Sequence, residues 1–233
     1  MSDLLSVLMP FYNERRTLQD IVLRVLAVDP GIPLELIMVD DCSTDGSREI
    51  AKRLAGFHNR IRFIRHETNQ GKGAAVRTAI AAATGTIAVI QDADLEYDPA
   101  DYHKLIAPIL AGTADAVYGS RFLGGVPVGT NRHALLANRV LTRFSNLVNR
   151  THLTDMETCY KAIRADLLKS LHLTSDRFGI EPEITARLAQ ARARIIEVPI
   201  TYRPRTQAQG KKIGWRDGAA ALCHIVKFRV RGV

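Results

Sequence analysis

The first half of the chain alternates short apolar, β-branched runs with stretches of helical spacing, and this alternation limits the fold more than any other feature. Leu4–Pro10, Leu34–Asp40, Ile61–His66, Thr86–Gln91 and Ala114–Gly119 read as strands. Thr17–Val28, Gly46–Ala55, Gly71–Ala83 and Pro99–Ala111 lie between them and read as helices. Glu35-Leu-Ile-Met-Val-Asp40 and Ile87-Ala-Val-Ile90 are nearly continuous in apolar residues, as strands are when both faces of a sheet are covered. The pattern predicts an α/β domain with a mostly parallel central sheet and helices on both faces. Ligands of such sheets bind beyond the carboxyl ends of the strands, so the residues that follow each strand carry the functional information.

The second half is less regular. It reads as a helix over Asn131–Arg150, a segment Asp155-Met-Glu-Thr-Cys-Tyr-Lys161, a helix beginning near Pro182, a strand over Ile195–Tyr202 and a final helix from Trp215. No internal repeat or long linker interrupts the 233 residues, so we expect one compact domain over residues 1–214 and a basic amphipathic helix over 215–233. With 46% hydrophobic and 24% charged residues, the composition excludes disordered, collagen-like and coiled-coil chains. No apolar run reaches the length of a membrane span, and the N-terminus lacks the basic region and cleavage site of a signal peptide. Cys42, Cys159 and Cys223 are scattered and form neither a disulfide framework nor a zinc pattern, which fits a reducing, cytoplasmic setting.

The net charge is +8, and its placement says more than its size. Residues 203–233 carry Arg203, Arg205, Lys211, Lys212, Arg216, Lys227, Arg229 and Arg231 against the single acid Asp217. Such a tail suits an anionic surface, whether membrane, nucleic acid or phosphorylated substrate. No DNA- or RNA-reading motif accompanies it, so no nucleic-acid partner is expected. Nor does Pro10-Phe-Tyr-Asn-Glu14, after the first strand, supply the Gly-rich turn of a nicotinamide dehydrogenase.

The strand ends are rich in acids, glycines and one arginine. Asp92-Ala-Asp94 follows an apolar strand, and two carboxylates one residue apart there suit Mg²⁺ or Mn²⁺ bridged to phosphate oxygens, with Glu96 as a third oxygen donor. The alternative is that these acids are turn and capping residues before Pro99. Asp45 reads as a helix cap, whereas Asp40, closing a buried strand, is placed to bond a nucleotide base or ribose. Gly71-Lys72-Gly73 at a helix start could bring N–H groups and a cation to a phosphate, but it falls short of a P-loop.

Taken together, Val7-Leu-Met-Pro-Phe-Tyr-Asn-Glu14, Val39-Asp-Asp-Cys-Ser-Thr-Asp-Gly46, Asn69-Gln-Gly-Lys-Gly73, Asp92-Ala-Asp94 and Gly119-Ser-Arg-Phe122 resemble, in order and spacing, the family 2 inverting glycosyltransferases. Within them the chain looks most like the polyprenyl-phosphate (dolichol-phosphate) mannosyl- and glucosyltransferases. The resemblance implies a GT-A fold, a nucleotide-sugar donor of the GDP-mannose or UDP-glucose type, a divalent metal, Mg²⁺ or Mn²⁺, and a polyprenyl-phosphate acceptor. Carried over, Pro10, Tyr12 and Glu14 line the nucleotide, Asp40 or Asp41 reads the base, Asp92 approaches the ribose or metal and Asp94 is the best metal ligand. Glu96 stands where relatives often have Gln. Arg121 resembles the arginine that faces the acceptor phosphate, and Arg132 a second one. Asp155 is retained from an Asp-x-x-Ser-Gly-Phe type segment whose remainder departs and leaves the sugar open.

A phosphate monoester, with its second pKa near 6, is already nucleophilic at neutral pH, so such an acceptor needs positioning and charge neutralisation rather than a strong base. Between Asp115 and Asp155 the only charged residues are Arg121, Arg132, Arg139, Arg143 and Arg150, which suits that task. With a soluble or glycan hydroxyl as acceptor, a carboxylate would have to take a proton instead. Lys72, and Arg205, Lys211 and Lys212 of the loop at 203–212, are expected on the departing diphosphate, the loop acting as a lid. Trp215, Ala219, Leu222, Val226 and Val230 form an apolar stripe flanked by cations, expected to lie peripherally on the inner face of a membrane; packing on the domain itself or on a second copy of the chain is the alternative.

Overall fold

A computed structural model of the chain describes residues 2–177, 179–205 and 215–230. Seven strands form one sheet: β1 (Leu5–Phe11), β2 (Leu34–Asp40), β3 (Ile61–Arg65), β4 (Ile87–Ile90), β5 (Ala116–Ser120), β6 (Lys161–Arg164) and β7 (Ile195–Pro199), in the order β3-β2-β1-β4-β6-β5-β7. Every residue of β1 and of β4 is buried, as the continuous apolar runs require of central strands covered on both faces. The edge strands β3 and β7 alternate or mix exposed residues, which is how an edge tolerates water. The helices are α1 (Leu18–Ala27), α2 (Ser47–Phe57), α3 (Lys72–Ala82), α4 (Tyr102–Leu110), α5 (Arg132–Asn149), α6 (Ala165–Ser170), α7 (Ile180–Gln190) and α8 (Trp215–Val230). A single 3₁₀ turn, Pro99–Asp101, leads into α4, with the Asp98 carboxylate accepting from the Ala100 N–H.

The mostly parallel α/β sheet expected from sequence is present, with one departure. β6 runs antiparallel between β4 and β5, and neither it nor α6 is anticipated by the sequence pattern. Its apolar content is only Ala162-Ile163, and it begins with a fully buried lysine, Lys161, which a sequence reading assigns to a surface. Burial is tolerated because the Lys161 ammonium bonds the Glu181 carboxylate and the Thr158 carbonyl.

The final helix packs on the domain through a face other than the expected stripe. α8 lies on α7 and α5 with Ala221, Ile225 and Phe228 buried, while Leu222 and Val226, of the stripe expected at a membrane surface, are 37 and 44% exposed. The Gln190 side chain ties it down by donating to the Phe228 carbonyl at 2.9 Å. Removing a helix docked on two others would expose that apolar seam.

The strand order places the site. β1 has β2 on one side and β4 on the other, so the chain reverses its direction of winding beside β1 and opens a crevice at the carboxyl ends of β1 and β4. The loops that follow these strands carry Tyr12–Glu14 and Asp92–Glu96.

Candidate active site

The loop after β4 is crossed by the segment that follows β7. Tyr97 and Tyr202 form an antiparallel bridge, and the Arg203 N–H donates to the Glu96 carbonyl at 2.8 Å. This places Arg205 over the acids. Its Nη2 lies 2.6 Å from Asp94 Oδ2 and its Nη1 3.3 Å from Glu14 Oε2, while its backbone N–H donates to Glu96 Oε1 at 2.7 Å. The carboxyl of Asp94 is pushed up to about 7 by burial and by the neighbouring charges of Asp92 and Glu96, which Arg205 only partly offsets.

Asp92 points to a different cation. Its Oδ1 lies 2.8 Å from the ammonium of Lys72, the first residue of α3, which also reaches Glu181 Oε1 at 3.3 Å. Burial alone would lower Lys72, but Asp92 and Glu181 hold it charged, well above the ordinary lysine range. Glu181 in turn holds Lys161, so Lys161, Glu181, Lys72 and Asp92 form an alternating chain of charges beneath the rim. Beside this chain stands Glu157, whose buried Oε1 has no hydrogen-bond partner among the described residues. Burial first, and then the charge of Glu181, raises its carboxyl to about 7. Sequence reasoning missed Glu157, Lys161 and Glu181; the only signal was that Glu157 and Lys161 fall in the segment that departs from the familiar pattern.

The end of β5 supplies the second cationic centre. Arg121 is clamped by Asp155 through Nε–Oδ2 at 2.6 Å and Nη2–Oδ1 at 2.7 Å, and its guanidinium lies over the Tyr202 ring, 5.2 Å from the centroid. Tyr202 joins the two centres, because its hydroxyl donates to Glu96 Oε2 at 2.9 Å. Asp155 is fully buried with both oxygens on Arg121, so it positions the arginine and does not reach out to a substrate. Arg132 is exposed in the first turn of α5.

The remaining expected residues take varied places. Tyr12 is 38% exposed at the mouth of the crevice, whereas Pro10 is buried within β1 and offers no surface to a nucleotide. Asp40 or Asp41 is expected to read a base; both are buried, with their oxygens bonded within the protein. Asp40 accepts from the Ser43 N–H and pairs with Arg48 at 2.7 Å; Asp41 accepts from the Gln70 and Gly71 N–H groups and faces His66 Nδ1 at 2.9 Å. A buried carboxylate must be satisfied, and the turns before α2 and α3 are the nearest donors. Lys211 and Lys212 lie outside the described residues.

Whether these residues suit a divalent ion can be judged from the donors themselves. Among the described residues no three His, Cys, Asp or Glu side chains are gathered to hold one. Glu96 is not the expected third ligand, since its oxygens face the Tyr202 hydroxyl and the Arg205 N–H. Asp94 does fit: a carboxyl crowded by two other acids, Asp92 and Glu96, is where a cation is favoured. One or two carboxylates completed by substrate phosphates is also the usual way to hold Mg²⁺.

Comparison with known proteins agrees with this geometry. The model of the family "Glycosyl transferase family 2" matches residues 6–171. Glycosyltransferase AglJ of Haloferax volcanii is 32% identical over 97% of this chain and 72% of its own length. Polyprenol monophosphomannose synthase of Mycolicibacterium smegmatis is 29% identical over 97% of this chain and 87% of its own. Among solved structures, glucosyl-3-phosphoglycerate synthase from Mycobacterium tuberculosis, in complex with Mn²⁺, UDP and phosphoglyceric acid, superposes with a TM-score of 0.73 at 19% identity, covering 98% of this chain and 79% of that one. The fold is therefore GT-A, and with an acid-lined crevice at the switch point of its sheet the chain belongs to glycosyl transferase family 2.

Proposed function

We propose that the protein transfers a hexose from a nucleoside-diphosphate sugar to the phosphate of a polyprenyl phosphate, with inversion at the anomeric carbon. The observation that carries this reading is the pair of arginine-bearing centres on one rim, Arg205 over Glu14, Glu96 and Asp94, the last of which suits a divalent ion, and Arg121 beside it, linked through Tyr202. One centre suits a departing diphosphate and the other an attacking phosphate. The acceptor oxygen attacks the anomeric carbon as the bond to the nucleoside diphosphate breaks, and no proton has to be removed from a phosphate dianion. The chain's task is then to align two anions and to offset their charge. Arg121, held in orientation by Asp155, steadies the acceptor. Lys72 and Arg205 are the cations nearest the acids of the donor side. Asp94, with Asp92 beside it, would hold Mg²⁺ or Mn²⁺, which supplies Lewis-acid neutralisation of the leaving diphosphate. The polyprenol-linked activity named for the mycobacterial relative supports the lipid acceptor, and the Mn²⁺ and UDP of the structural neighbour support the metal and the donor class. Among the described residues no helix is long and apolar enough to cross a membrane, which is consistent with a peripheral protein meeting its lipid at the inner face.

The test is thermal unfolding with GDP-mannose and UDP-glucose, each with and without Mn²⁺, followed by mass analysis of a polyprenyl phosphate incubated with the stabilising donor. A donor at about 100 times its Kd adds about 2.7 kcal/mol. For a chain of this size that is a rise of about 5–10 °C in Tm. Asp94→Asn should remove the Mn²⁺-dependent part of the rise and abolish transfer. No stabilisation by any nucleotide sugar would defeat the proposal. A second reading, transfer to a hydroxyl, is favoured by one observation: Glu157, its carboxyl pushed up to about 7 by burial and its Oε1 unpartnered among the described residues, is suited to take a proton. It predicts that Glu157→Gln abolishes transfer, whereas a phosphate acceptor leaves that variant active.

A further inference from the structure

The segment from Asp155 to Lys161 is held from several directions. The Asp155 N–H donates to Glu197 Oε1 in β7 at 3.0 Å, and the Met156 N–H to Thr142 Oγ1 in α5 at 3.2 Å. The Thr158 hydroxyl donates to the Gly119 carbonyl in β5 at 2.7 Å, and the Cys159 N–H to the Tyr97 hydroxyl in the loop after β4 at 3.1 Å. From Asp155 to Ile163 every residue is buried except Glu157, which keeps part of its surface. Its Oε1 is nevertheless buried, with no hydrogen-bond partner among the described residues. A buried oxygen without a donor destabilises the fold, and one carried on so well-tied a segment points to a partner from outside the chain.

The surroundings of Glu157 limit what that partner is. The charges that act on it belong to both centres of the rim: Glu181 and Lys161, which lead through Lys72 to Asp92, and Arg121 with Asp155. Both cations are already matched, Lys161 by Glu181 and Arg121 by Asp155. A phosphate beside Glu157 would meet a carboxylate, and like charges repel. Nor are three His, Cys, Asp or Glu side chains gathered for a metal ion among the described residues. What remains is a neutral donor of hydrogen bonds. In the transfer described above, the sugar lies between the leaving diphosphate and the attacking phosphate, and its hydroxyls are such donors. A carboxylate accepts from two adjacent hydroxyls at once, one on each oxygen.

We propose that Glu157 selects the transferred hexose, its carboxylate accepting hydrogen bonds from hydroxyls of the sugar ring while other residues hold the nucleotide. Glu157 has this role only if the transfer reading holds, and with a phosphate as the attacking group it removes no proton. Selection follows from pairing: a sugar that lacks the bonded hydroxyl leaves the carboxylate unsatisfied, and a site built to bond a hydroxyl rejects such an analogue strongly.

Calorimetric titration of the full chain in Mn²⁺ with GDP, UDP, GDP-mannose and UDP-glucose separates sugar from nucleotide. For the preferred donor, Glu157→Ala should weaken binding of the nucleotide sugar about 10- to 100-fold, the loss of hydrogen bonds to a charged group, and change that of its nucleoside diphosphate less than about twofold. Glu157→Gln keeps the shape and one accepting oxygen, so it should fall between and still transfer; if Glu157→Ala does not fold, this variant carries the same comparison. In a series of donors each lacking one sugar hydroxyl, at least one should bind the wild type as weakly as the parent donor binds Glu157→Ala, and lose nothing further on that variant. Equal weakening of nucleotide sugar and nucleoside diphosphate, or an unchanged nucleotide sugar, overturns the proposal and leaves the transfer reading standing. Glu157→Gln that binds donor as the wild type does yet transfers nothing also overturns it, by assigning proton removal to this residue. A wild type that binds no nucleotide sugar defeats the transfer reading itself, and this role with it.

Discussion

At the scale of single residues, the side chains that matter are those whose charge the interior would otherwise refuse. Asp155 holds Arg121, Glu181 holds Lys161 and Lys72, and Arg205 holds Asp94. Glu157 Oε1 has no hydrogen-bond partner among the described residues, and burial pushes its carboxyl up to about 7 from an ordinary 4.5. A raised carboxyl binds its proton more tightly in the folded state, so its share of stability is intact below about pH 4.5 and is lost as pH climbs through 7. Glu157→Gln should therefore raise stability by about 1–3 kcal/mol at pH 8 and hardly at all at pH 4.5. Urea unfolding of both proteins at the two pH values decides it. An equal gain at both would mean that Glu157 is charged throughout and held by contacts that differ from those described.

At the scale of elements, the start of α3 depends on close approach. Gly71 has φ +97°, which a side chain resists, and a Cβ added to Gly73 would overlap the Ser175 carbonyl oxygen in the turn before α7. That contact lets Ser175 and Asp176 pack over the helix start, with the Ala74 N–H donating to the Asp176 carbonyl at 3.1 Å, and it sets Lys72 opposite Asp92. Gly73→Ala should cost about 1–3 kcal/mol, because backbone, and not a flexible side chain, must move. It should also weaken donor binding by displacing Lys72. Gly56, inside α2 with open space around it, is the control: Gly56→Ala should gain about 0.5–1 kcal/mol and leave donor binding unchanged. If the two variants unfold at the same temperature, the packing of residues 175–176 on α3 does not hold the site together.

At the scale of the whole molecule, a net charge of +8, nearly all of it contributed by residues 203–233, favours the approach of a dianionic donor. The association rate of a fluorescent nucleotide sugar should fall several-fold between about 0.01 and 0.15 M salt, as the Debye length shrinks from about 30 to about 8 Å, while dissociation changes little. Stopped-flow traces independent of salt would remove charge steering from the account. The molecule also divides what is written in the chain from what is not. Continuous apolar runs specified the parallel strands and their buried placement, because both faces must be covered, and the polar residues after each run marked the rim, because that is where the backbone leaves the core. The sequence thus determined the α/β class, the crevice and the residue types in it: Glu14, Asp92, Asp94, Lys72, Arg121. It did not determine their partners. Asp40 and Asp41 look identical in kind to Asp92 and Asp94, and only folding set the first two on Arg48 and the α3 turn, Asp92 on Lys72 and Asp94 on Arg205. β6 was illegible because the charge of its buried lysine is countered by Glu181, twenty residues away. The phase of α8 was likewise settled by neighbours far along the chain. Periodicity reports which side of an element is apolar, but what covers that side is decided by the tertiary structure.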